Sequence, residues 1–289
     1  MTPKISIVIG TFNRPHVIQK LLKQLSEIPK PISMEVLVFD QSDKKNQEIL
    51  KTLFPKKPNF KLYCLNKPNT CLYMNLGWKK ANAGIVLYLD DDVEITYKTI
   101  SGHIEAYNHS NINGVAGRVI NDNEIVNENA KEVGKIKWFG SVFSKNFSSL
   151  NKSYVDFPYG CNMSFRKKIL NEIGGFDEKL KGPIYSFNEI DLSCRIIKKY
   201  PNSLLFQPDA LVYHKRYPTG GTRQYDKKTL LLNISFNYGY FLAKNYNVLE
   251  NLIFLVRRLP YQILKERGDI INIFRGFAYG KCLHKKSKG

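Results

Sequence analysis

The chain has 289 residues, 43% of them hydrophobic, enough to bury a sizeable core in one large domain or one and a half. Its net charge of +19 calls for an anionic partner: nucleic acid, a phosphate-rich ligand or a membrane surface. Five cysteines without a Cys-x-x-Cys pair point to a reducing compartment and away from a disulfide framework or a zinc site. The N-terminus enters a strand with no basic region or apolar signal core, so no secretory signal is expected. No apolar run approaches the roughly 20 residues of a membrane span.

In chain order, Ile5-Ser6-Ile7-Val8-Ile9 reads as a first strand and Thr11 to Pro15 as a turn. Val17, Ile18, Leu21, Leu22 and Leu25 then share one helical face, stopped by Pro29 and Pro31. Val36 to Phe39 is a second strand, closed by Asp40-Gln41-Ser42-Asp43, and a helix carrying Ile49, Leu50 and Leu53 follows. Leu62 to Leu65 is a third strand and Leu72 to Ala81 a helix. Ile85 to Leu89 is a fourth strand, ending in Asp90-Asp91-Asp92. Strands alternating with helices predict βαβ units around a mostly parallel sheet.

Three adjacent carboxylates at a strand end repel one another, so a fold that tolerates them is expected to supply a cation. The competing reading is a solvated acidic turn that caps a helix. Polar residues recur at the same predicted sheet edge: Thr11, Asn13 and Arg14, then Asp40 and Ser42, then the triple Asp. Ligands of open α/β sheets bind beyond the carboxyl ends of the strands. There Asp40 suits a base or ribose group, Asp90 or Asp91 a ribose hydroxyl, and Asp92 the metal. Arg14 stands between a local carboxylate and a phosphate, and Asp40 has helix capping as its alternative.

The order and spacing of Ser6 to Arg14, Asp40-Gln41-Ser42, Asn75 and Leu87-Tyr88-Leu89-Asp90-Asp91-Asp92 resemble the family 2 glycosyltransferases over roughly residues 4 to 225. The resemblance implies a GT-A fold: a Rossmann-like, mostly parallel or mixed sheet flanked by helices. It implies inverting transfer from a nucleotide-diphosphate sugar with Mn²⁺ or Mg²⁺, and a role in cell-surface polysaccharide synthesis. It assigns nucleotide binding to Thr11, Asn13, Arg14, Asp40, Asn75, Asp90 and Asp91. The expected catalytic domain is 1–222, with a nucleotide half to about 120 and an acceptor half from 121, followed by a helical extension over 223–289.

Between the halves, a helix to His109, a strand at Val115 to Ile120 and a loop over Asn121 to Asn129 are expected. Phe157 to Arg166 resembles the segment bordering donor sugar and acceptor, with Gly160 and Asn162 as contacts; a tight turn between core elements is the alternative. In Asn188-Glu189-Ile190-Asp191-Leu192-Ser193-Cys194-Arg195, carboxylates suit a helix N-terminus. The family pattern there, Glu-Asp-x-Asp-Leu-x-x-Arg, makes Glu189 the general base and gives Asn188 a sugar contact, with Asn in place of the first acid and Glu in place of Asp. Asp191 and Arg195, four apart, are expected to pair. His214 closes the strand Ala210 to Tyr213 and in the family completes the metal site. The following basic, Gly-containing loop offers Lys215 or Arg223 to a diphosphate, or is simply solvated.

The tail from Arg223 carries 13 Lys and Arg against 4 Asp and Glu. Val248, Leu252, Leu255 and Leu259 share one helical face, and Ile270, Ile273, Phe274 and Phe277 another. These faces either dock a cytoplasmic enzyme on the inner, anionic leaflet beside a lipid-linked acceptor or pack on the catalytic domain. A nucleic-acid-binding protein is the rival class, but no helix-turn-helix, zinc or RNA-recognition signature occurs and no nucleic-acid partner is expected. A nucleotidyltransferase usually opens with a Gly-rich nucleotide loop, whereas Gly10 stands alone in the first turn.

Overall fold

The computed structural model describes residues 2–29, 32–138, 142–180, 187–217, 219–220, 224–257 and 270–286. Ile5, Ile7, Val8 and Ile9 are fully buried, which fits a strand covered on both faces. That strand, β1 (Ile5–Thr11), runs parallel between β2 (Met34–Asp40) and β4 (Ile85–Asp90), and β3 (Phe60–Cys64) extends the parallel set beyond β2. The helices that follow start where the sequence offers caps. Pro15 opens α1 (Pro15–Glu27), whose Ile18, Leu21, Leu22 and Leu25 are buried. The side chains of Asp43 and Asn69 accept the first amides of α2 (Lys44–Leu53) and α3 (Thr70–Lys80).

Beyond Asp90 the chain turns into a short strand, β5 (Val93–Ile95), and then α4 (Tyr97–Ala106) and β6 (Gly114–Asn121). The acidic triple thus closes a strand-to-strand turn and not the start of a helix. A small separate hairpin follows, β7 (Lys135–Lys137) with β8 (Val142–Ser144), and then β9 (Ser153–Tyr154). The small-residue stretch near Asn162 is a strand, β10 (Asn162–Arg166), antiparallel between β4 and β6. Its residues Asn162 to Phe165 are all buried, so it lacks the polar alternation that marks a half-exposed strand.

Two helices, α5 (Lys167–Ile173) and α6 (Asn188–Lys199), precede β11 (Leu204–His214). β11 pairs with β6 in parallel and with β5 and β9 antiparallel, giving the order β3-β2-β1-β4-β10-β6-β11-β5. The sheet is therefore mixed: parallel at one side, with β10 inverted in the middle. Register aligns the ligand edge. Thr11 lies opposite Asp40, Gly10 opposite Asp90, and His214 opposite both Asn121 and Val93.

The tail forms α7 (Lys227–Asn245), α8 (Val248–Arg257) and α9 (Ile270–Lys286). α7 and α9 cross at glycines: a Cβ on Gly239 would sit 1.8 Å from the Ile273 carbonyl oxygen, and one on Gly276 1.9 Å from that of Phe236. α7 is buried nearly throughout from Ser235 to Asn245. The tail's faces therefore divide. Ile273 of α9 is buried, while Val248, Leu249 and Val256 of α8 are 67%, 73% and 77% exposed. No described helix is long and apolar enough to cross a membrane. All five cysteines are free thiols.

Candidate active site

A cleft of about 320 Å³ opens where β1 and β4 part, the point at which the strand order reverses. Its acidic wall is tightly tied. The Thr11 hydroxyl donates to Asp91 Oδ2 at 2.6 Å, and Arg14 Nε donates to the same oxygen at 2.9 Å. Arg14 also grips Asp91 Oδ1 through Nη2 and reaches Asp92 Oδ2 from Nη1 at 3.1 Å. Burial would make the arginine easier to deprotonate, but the carboxylates around it more than offset this and raise its pKa. Burial pushes the Asp91 carboxyl up, against the pull of Arg14 and Thr11. Arg14 is thus a counter-ion of Asp91 and Asp92, and it also lines the cleft.

His214 Nε2 lies 3.1 Å from Asp92 Oδ1 and 3.8 Å from Asp90 Oδ2. Its Nδ1 is 2.9 Å from Asn121 Oδ1, which fixes the ring. Burial alone would lower the His214 pKa, but the hydrogen bond to Asp92 and the charges of Asp90 and Asp92 raise it. Asp90, Asp92 and His214 each offer one ligand atom, all within 4.8 Å of one another. Two hard carboxylate oxygens and an imidazole nitrogen suit a divalent cation, whose octahedral ligands at ~2.1 Å stand ~3 Å apart when adjacent and ~4.2 Å when opposite, so the three donors would draw together around it. The residues fit a divalent cation. Asp90, which the sequence assigned to ribose, joins Asp92 and His214 in this set, while Asp91 is held by Arg14 and Thr11.

Glu189 faces the acidic wall across the cleft, in the first turn of α6. Gly160 lies against it: a Cβ there would stand 3.9 Å from Glu189 Cδ. Burial pushes the Glu189 carboxyl up to about 7, with the negative charge of Asp90 acting in the same direction and Lys145 opposing. The residue before the helix, Phe187, has a left-handed φ of 76°. It is clamped by stacking on Tyr238 (5.0 Å) and Phe241 (5.2 Å) of α7. Asp191 does bond to Arg195, at 3.0 Å, and also to Lys244 and Asn245 of α7.

Other predicted residues sit elsewhere. Asn188 lines the cleft, its amide 3.5 Å from the Met74 sulfur. Asp40 is fully buried at the end of β2; Oδ1 accepts from the Ser42 amide at 2.9 Å, and Oδ2 has no hydrogen-bond partner among the described residues. Asn13, with a φ of 53°, ties the ends of β1 and β2 by donating its amide to Ser42 and accepting from Asp43. Asn75 and Asn162 are not brought to the cleft. Asn75 Nδ2 donates to the Phe176 carbonyl and Glu178, and its Oδ1 accepts from Trp78 and the Phe176 amide, so its polar atoms hold the turn after α5. Asn162 is sealed in the sheet by His103 and the carbonyls of Arg118 and Ala210. Arg223 lies outside the described residues, and Lys215 pairs with Glu94 at 3.1 Å. Asn121, Tyr159, Lys145 and Phe187 were not foreseen, because each acts through a neighbour distant in sequence.

The fold defined by this sheet and cleft is that of the GT-A glycosyltransferases. A crystal structure of Staphylococcus aureus TarS (residues 1–349) superposes with a TM-score of 0.59 at 19% identity, covering 91% of this chain and 73% of TarS. The mannosyltransferase PcManGT from Pyrobaculum calidifontis, in complex with GDP-Man and Mn²⁺, gives 0.60 at 12% identity over 98% of this chain and 76% of its own. GalNAc-T7 with UDP, GalNAc and Mn²⁺ gives 0.64 at 16% identity over 91% of this chain and 57% of its own. No curated protein sequence matches significantly. The glycosyl transferase family 2 profile matches residues 6–174, more than half of the chain, and the chain belongs to that family.

Proposed function

We propose that the chain moves a sugar, of the hexose class or a close relative, from a nucleotide-diphosphate sugar to a hydroxyl of a glycan or lipid-linked saccharide, with inversion. The observation that carries this is the convergence of Asp90, Asp92 and His214 at the sheet's switch point with Glu189 across the same cleft. UDP-GlcNAc and GDP-Man complexes of similarly folded proteins support a nucleotide-sugar donor. The buried Asp40 suits a polar group of the nucleoside, and Gly160 and Asn188 border the sugar. Asp90, Asp92 and His214 would hold Mn²⁺ or Mg²⁺, which supplies electrostatic stabilisation of the departing diphosphate. Glu189 takes the acceptor hydroxyl proton. The acceptor oxygen bonds to the anomeric carbon as the bond to the diphosphate oxygen breaks, and that electron pair leaves with the nucleotide diphosphate. A single displacement needs one base and no protein nucleophile.

The test is nucleotide release from UDP-, dTDP- and GDP-sugars with Mn²⁺ by the full chain. One donor should be turned over, and Glu189→Gln and Asp92→Asn should each stop it; release indifferent to both substitutions would refute the proposal. We place the enzyme on the cytoplasmic leaflet, in cell-surface polysaccharide synthesis; the exposed apolar face of α8 on a strongly basic chain supports the membrane contact alone. Flotation of the full chain on anionic vesicles should be lost in a Leu249→Asp, Val256→Asp variant. Failure of the unaltered chain to float would end the membrane assignment.

A further inference from the structure

A second cavity of about 270 Å³ lies behind Tyr159, a residue that also lines the nucleotide cleft. Tyr159 makes a fixed partition between the two. Its ring stacks on Phe147 at 5.5 Å and meets the edge of His214 at 6.4 Å, and its hydroxyl accepts from Arg216 at 3.2 Å. The next residue, Gly160, touches Glu189. A saccharide seated in this cavity and extending past Tyr159 would therefore bring a hydroxyl into the cleft that Glu189 lines. The volume holds about one sugar ring.

The charges of the cavity are unequal in their commitments. Arg216 is paired with Glu124. Lys145 lies 5.6 Å from the Tyr159 ring centroid and has no carboxylate partner among the described residues. Its ammonium is close enough to Glu189 to oppose the rise of that carboxyl's pKa. On a chain with 44 Lys and Arg a solvated lysine is ordinary; this one is set over an aromatic ring, in a concave polar cavity, beside the base. An acidic acceptor approaching Glu189 and the aspartates would be repelled unless a cation met it on the way.

We infer that this cavity is the acceptor subsite and that Lys145 recognises an acidic group, carboxylate or phosphate, on the incoming saccharide. The inference rests on the transferase reading, and the two fail separately. The full chain is loaded with Mg²⁺ and UDP, dTDP or GDP, whichever calorimetry shows to bind, and titrated by NMR with glucose, glucuronate and glucose 6-phosphate. The acidic sugars should bind about three- to fivefold tighter than glucose, as expected for a half-exposed charge pair. Lys145→Ala should erase that difference while leaving nucleotide binding unchanged, and Lys145→Arg should retain it. The tighter of the two acidic probes identifies carboxylate or phosphate as the natural group. Equal binding of all three sugars, or a preference that survives Lys145→Ala, overturns the acceptor inference alone. Failure to bind UDP, dTDP and GDP alike overturns the donor reading and this inference with it.

Discussion

On one wall of the cleft, Asp91 and Asp92 share Arg14, Thr11 and His214 as partners; on the other, Glu189 has no ion pair among the described residues. Both walls bury carboxylates, yet the consequences differ. Burial raises both Asp91 and Glu189, but Arg14 and Thr11 pull Asp91 back, whereas Glu189, with no such partner, is pushed up to about 7, where a carboxyl exchanges a proton near neutrality. Two tasks are separated by what surrounds the same functional group.

Removing the lone carboxylate should have the largest effect. Glu189→Gln is expected to cut donor turnover by about 10²- to 10⁴-fold, with nucleotide binding by calorimetry little changed. Breaking the paired wall should instead appear as stability. Arg14→Ala strands two buried carboxylates and is expected to cost about 3–5 kcal/mol in urea unfolding, while Arg14→Lys, which lacks the planar fork, recovers only part.

pH sharpens the same contrast. With Glu189 at about 7 in the folded chain, log(kcat/KM) should rise with pH up to about 7 and then level off. The sign for stability is opposite. A carboxyl raised above its unfolded value binds protons better in the folded state, so its contribution falls as pH climbs from the ordinary carboxylate range through about 7. Glu189→Gln should therefore melt higher than the unaltered chain at pH 8, by on the order of 1 kcal/mol, and equally at pH 4. On the paired wall, Asn121→Ala frees the His214 ring and should weaken Mn²⁺ binding about tenfold in a metal titration.

The parallel half was legible in the sequence because its strands are continuous apolar runs between capped helices, and because Asp90 to Asp92 end one of them. β10 was not, since a five-residue strand whose Asn162 and Ser164 are as buried as Met163 and Phe165 shows no apolar-polar period. Glu189 could be picked out by pattern, but not its isolation, which depends on what α7 and the 145–160 segment bring near it. Asn75 and Asn162 look functional in sequence and prove to be internal braces; an amide in an apolar stretch carries the same signature whether it meets a ligand or a backbone carbonyl. The 19-residue α7 falls inside the helical extension expected over 223–289, but its apolar groups lie on several sides and leave no amphipathic stripe to mark its bounds.

The aromatic clamp on Phe187 makes the C-terminal helices an organ of the enzyme and not an appendage. Lys244 and Asn245 moor them to Asp191 only two positions past Glu189. Loss of the chain beyond β11 would spare the Asp90, Asp92 and His214 cluster and remove the contacts that hold the first turn of α6, where Glu189 sits. The first turn of α6, and Glu189 with it, thus takes its position from side chains more than fifty residues further along the chain.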